Sequence, residues 1–105
     1  MWLGFAEYAG AHSLCHEHVA GTSMHIEWMS YATTDEPGKV VAFYEKSLAA
    51  KSGAGDNGSR TFDLGTDGTT KLSVFPAAKA DAFPHCSVAP KAADRTVILV
   101  SQAIK

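Results

Sequence analysis

The sequence predicts an α+β domain, a four-stranded mixed or antiparallel sheet in the order β-α-β-β-β with one main helix on one face. Three observations predict it. Residues 24–33 alternate with period two, residues 37–50 carry apolar side chains at helical spacing, and two later alternating runs are followed by a last segment apolar on both sides. A chain of 105 residues, 46% of them apolar, buries about two thirds of its unfolded surface and fills one core, so residues 1–105 form a single domain.

Residues 1–22 carry glycines at Gly4 and Gly10 and no evident cap, and they read as an irregular N-terminal segment with at most a helical turn before the core of residues 23–105. In MHIEWMSYAT, Met24, Ile26, Trp28 and Ser30 fall on one side, and His25, Glu27, Met29 and Tyr31 on the other, which is a strand. Thr34-Asp35-Glu36-Pro37 is a helix start, with Thr34 or Asp35 as the capping side chain and Pro37 in the first turn. Val40, Val41, Tyr44 and Leu48 then share one stripe of a helix reaching residue 50.

SGAGDNGS stops the helix and reads as a mobile loop. Residues 60–65 and 70–75 flank Thr66-Asp67-Gly68-Thr69 as a hairpin, with Phe62 and Leu64 on one side of the first strand and Leu72 and Val74 on one side of the second. The stretch PAAKADAFPHCSVAP reads as a long surface connection. RTVILVSQAI is apolar on both faces and therefore belongs in the middle of a sheet, beside the first strand and the third, giving the order 1-4-3-2. One helix covers one face only. The other must be closed by the N-terminal segment or by a second copy of the chain, which predicts a homodimer.

The net charge is −2, and the nine Lys and Arg are scattered from Lys39 onward without a run that could neutralise several phosphates, which argues against nucleic-acid binding. No apolar run approaches the roughly 18 to 20 residues of a membrane-spanning helix. The start, MWLGFAEYAGAHSLC, lacks a basic residue and is broken by Glu7 and His12, so it does not read as a secretory signal. A cytoplasmic protein is expected, or an extracytoplasmic one if Cys15 and Cys86 are bonded; such a bond would close a long loop, worth on the order of 4 kcal/mol. Two separate thiols are the other reading.

Two constellations carry possible chemistry. The face bearing His25, Glu27, Met29 and Tyr31, joined by Phe75 and by Gln102, places a few polar groups among apolar walls. That composition suits a small-molecule pocket or a dimer interface, and the two coexist if the pocket is lined from both subunits. The second is His12-x-x-Cys15-His16-x-His18, which with His85-Cys86 would allow a metal set of Cys15, His18, His85 and Cys86; the alternative is surface histidines around a disulfide, with no metal and no cofactor. No GxSxG, Walker loop or GxGxxG following a strand occurs.

The strand at residues 25–33, the polar turn at 34–37, the Phe43-Tyr44 pair, Leu48 and the later TFDLGTDGTTKLSVFP together resemble one half-module of the vicinal oxygen chelate family, which includes the glyoxalases and bleomycin-resistance proteins. That resemblance implies the β-α-β-β-β fold, a second half supplied by a partner and, in metal-dependent members, ligands that His25 or Glu27 would supply. The sequence departs from the pattern where Leu48 leads into Ala49-Ala50 and where the last strand offers only Gln102 in place of a glutamate. The expectation is thus a small dimeric domain that binds an apolar or amphipathic molecule on its sheet face without catalysing a reaction. The alternatives are a metal-dependent lyase, isomerase or dioxygenase, and a structural or interaction domain without a ligand.

Overall fold

The computed structural model describes residues 2–64, 69–82 and 88–104. Its elements are β1 (His12–Ala20), β2 (His25–Thr33), α1 (Pro37–Leu48), β3 (Gly53–Ala54), β4 (Arg60–Leu64), β5 (Thr70–Pro76) and β6 (Thr96–Ile104). The fold is α+β, but the expected four-stranded sheet of order 1-4-3-2 is replaced by a six-stranded antiparallel sheet of order β1-β2-β6-β5-β4-β3. The extra strands lie at the two edges.

Both come from segments expected to be irregular. β1 arises from the N-terminal segment, where it pairs along β2 with a bulge between Ser13 and Cys15. β3 is only two residues long and comes from the glycine-rich stretch, followed by a 3₁₀ turn at Asp56–Gly58. Ahead of β1 the chain makes a tight turn in which Trp2 and Phe5 exchange backbone hydrogen bonds of 2.8 and 2.9 Å. Leu3 (φ 50°) and Gly4 (φ 97°) occupy its two central positions, both with positive φ as a type I′ turn requires.

The helix starts at Pro37, as Pro37 in the first turn favours. Its N-cap is Glu36, without a side-chain cap bond, and not Thr34 or Asp35. Those two are displaced because Asp35 N donates to Thr33 Oγ1 and the Asp35 carboxylate is engaged by Tyr8. The helix ends at Leu48 instead of residue 50, since Ala49 turns left-handed (φ 51°, ψ 41°) and the amides of Ala49 and Ala50 close back on the carbonyls of Lys46 and Glu45.

Register assigns the faces. Met29, Val100, Leu72 and Phe62 form one row across β2, β6, β5 and β4, and Tyr31, Ile98 and Val74 form the next. Val40 and Tyr44 of α1 pack on these rows together with Trp2, Phe5 and Tyr8, making the main core. Each large side chain fully buried there contributes about 1.5–3 kcal/mol. Tyr44 is buried completely, and its hydroxyl donates to the Ala6 carbonyl at 2.7 Å, tying the helix to the N-terminal segment. So residues 2–11 thicken the helix side and do not close the opposite face.

On that opposite face Phe75, Val97 and Leu99 are buried within the single chain, with Leu14, Trp28, Ala77 and Ala80 against them. The two alanines belong to a 3₁₀ helix, Ala77–Ala82, formed from the start of the stretch expected to be a surface connection. Asp94, buried just before β6, accepts from the Lys91 amide at 2.8 Å and lies 2.9 Å from His12 Nε2, so it ties the start of β1 to the sheet.

Candidate functional site

The residues expected to line a pocket are divided by the sheet. His25, Glu27, Met29, Tyr31 and Gln102 lie on the helix side, while Phe75, one position out of phase with Leu72 and Val74, lies on the other side beside Val97 and Leu99. Met29 and Tyr31 are packed under the N-terminal segment: the Trp2 ring stacks on Tyr31 with centroids 3.8 Å apart, and the Tyr31 hydroxyl reaches Met29 Sδ at 3.3 Å. The chain's own tryptophan thus fills the apolar half of that face.

Beyond this cover the helix side of β1 and β2 is open and polar. Glu27 pairs across to His18 on one side and to Gln102 on the other. His16 Nε2 lies 3.3 Å from Glu27 Oε2, the His18 and His25 rings stack at 5.4 Å, and Gln102 Nε2 donates to Thr70 Oγ1 at 3.1 Å. Cys15 pairs with Ser30 and therefore points to the face opposite His18, so the register separates these two members of the Cys15, His18, His85, Cys86 set. His85 and Cys86 lie outside the described residues. No cysteine is free among the described residues, and Cys15 has a partner.

A concave site forms elsewhere, at the seam between the N-terminal segment and α1. It has a volume of about 450 Å³ and is lined by Tyr8, Ala9, Asp35, Lys39, Ala42, Phe43 and Lys46. Phe43 stands off the buried stripe of the helix and is 37% exposed, edge-on to Tyr8 at 5.1 Å. The phenol of Tyr8 donates to Asp35 Oδ2 at 2.6 Å, and Lys39 Nζ lies 3.7 Å from the same oxygen. Burial, together with this bond to Asp35, pushes the Tyr8 hydroxyl up to about 12, so it keeps its proton across the neutral range. The groove therefore has an aromatic and alanine floor, a carboxylate that accepts from Tyr8 and lies near Lys39, and Lys46 at its rim. A second depression, lined by Glu45, Lys46, Ala49, Ala50 and Lys51, shares Lys46 with it.

Sequence reading did not find this groove. Its one readable signal was Phe43, an aromatic residue off the helix's apolar stripe; Tyr8 and Ala9 join it only through the path of residues 2–11.

Fold and groove define a small α+β domain with an amphipathic groove on its helical side. No family model, curated protein or solved structure matches the chain. No helix among the described residues is long and apolar enough to cross a membrane.

Proposed function

We propose that the chain is a small-molecule-binding domain whose seam groove takes an amphipathic anion. The apolar body of the ligand lies on Phe43 and Tyr8 between Ala9 and Ala42, and its acid group pairs with Lys46. The observation that carries this reading is the exposed Phe43 ring, set edge-on to Tyr8 within a groove of about 450 Å³ rimmed by Lys39 and Lys46. An aromatic floor with a few placed polar groups, in a volume of this size, is the usual composition of a ligand site. Asp35 accepts from Tyr8 and is paired with Lys39, which leaves Lys46 as the cation for the ligand's acid group. This keeps the expectation of an amphipathic ligand and moves its site from the sheet face to the helix.

Fluorescence titration with anilinonaphthalene sulfonate, an aromatic anion, tests the reading. The expected result is saturable binding of one probe per chain, lost in Phe43→Ser and weakened several-fold in Lys46→Gln. Saturable binding that both variants retain, or no saturation at all, would contradict it.

A further inference from the structure

The geometry points to a second site, independent of the groove, at which His18 and His25 bind a divalent transition-metal ion with His16 and Glu27 beside them. These four residues share the open end of one sheet face. His16 and His18 are two positions apart on β1 past the bulge and so project to the same side, and His18 lies directly across from Glu27 of β2. His25 meets His18 diagonally, with the rings 5.4 Å apart and 19° from parallel. His16 meets Glu27 diagonally on the other side, at 3.3 Å.

As they stand, the four make two adjacent pairs, and among the described residues no group of three or more His, Cys, Asp or Glu converges on one point. The two pairs meet at Glu27 and His18, which face each other in the register. Directly opposed residues in an antiparallel pair have Cβ atoms about 4.5–5.5 Å apart. With zinc–nitrogen bonds of about 2.0–2.1 Å, two imidazoles sharing an ion hold their ring centres at a separation close to that seen for His18 and His25. Turning the two rings edge-on to a common point is a side-chain rotation, and both residues are exposed, so little packing opposes it. His16, with 57% of its side chain exposed, can follow, while Glu27 supplies a carboxylate to the ion or to an imidazole N–H.

Imidazole nitrogens favour zinc, nickel and copper over magnesium and calcium, which take oxygen ligands. The ion would also join β1 to β2. Since β1 is an edge strand held by β2 on one side only, an ion bridging the two strands stabilises the fold by mass action.

The experiment uses the untagged full chain. Isothermal titration with nickel(II) and with magnesium is paired with nuclear magnetic resonance of the histidine ring protons, where paramagnetic nickel broadens the rings it touches. Saturable, one-to-one uptake of nickel but not of magnesium is expected, with the His18 and His25 rings broadened first and His12 spared. His18→Ala and His25→Ala should each abolish saturation over the same concentration range. Uptake that survives both substitutions, equal uptake of magnesium, loss of uptake in His85→Ala instead, or broadening centred on His12 would each overturn the proposal. The wild-type broadening pattern decides the matter even if a variant fails to fold.

Discussion

Each of the three tyrosines has its ionisation pushed above the ordinary value of 10 by burial, and for Tyr8 the hydrogen bond to Asp35 adds to it. The folded chain therefore holds these protons where the unfolded chain releases them. A raised folded value gives a stabilising contribution that is fully present below pH 10 and is lost as pH rises toward the Tyr8 value of about 12. Tyrosinate absorbance should accordingly stay low at pH 10 in the folded protein and rise together with loss of the far-ultraviolet signal at higher pH. Tyr8→Phe should leave less stability to be lost over that interval. Three tyrosines ionising at their ordinary value in a protein that stays folded would show that Tyr8, Tyr31 and Tyr44 are not packed as described. Trp28 is the opposite case: its indole N–H is buried without a hydrogen-bond partner among the described residues, and a buried donor left so costs its desolvation.

At the scale of elements, the end of α1 carries a correctable strain. Ala49 sits in the left-handed region that glycine occupies without penalty. Ala49→Gly should raise stability by about 0.5–1 kcal/mol, the left-handed penalty of alanine less the greater freedom of glycine in the unfolded chain. Urea unfolding checks it: a higher midpoint with an unchanged slope is expected, and a lower midpoint would place Ala49 outside the left-handed region. The helix itself was legible because Val40, Val41, Tyr44 and Leu48 mark its buried stripe. β2 was legible from its strict alternation. β1 was not, for a physical reason: its helix-side positions are Ser13, His16, His18 and Ala20, and the bulge after Ser13 puts Leu14 on the same face as Val19 although the two are an odd number of positions apart. An edge strand with polar side chains on its open face lacks the period that betrays a strand. β3 failed for a simpler reason, being two residues of a glycine-rich stretch.

At the scale of the whole molecule, sequence patterns identified which segments pair more readily than which faces they share. β6 is apolar on both sides, so it accepts either phase of its neighbours, and only the register shows that Val100 and Gln102 align with Leu72 and Thr70 and not with Phe75. This is why Phe75 was placed in a pocket it does not line. The covering of the sheet was legible only in part, for a related reason. The need to cover both faces of β6 was readable, but the path of residues 2–11 onto the helix side and of Ala77–Ala82 onto the other was not. That path creates the seam against α1, and the functional reading rests on the seam. Chemical-shift mapping of the isotopically labelled chain with anilinonaphthalene sulfonate tests it most directly. Shifts concentrated at Tyr8, Ala9, Ala42, Phe43 and Lys46 are expected, with β1 and the face of Phe75 unmoved; shifts centred on His25, Glu27 and Gln102, or on Trp28 and Leu99, would contradict a ligand site at the seam.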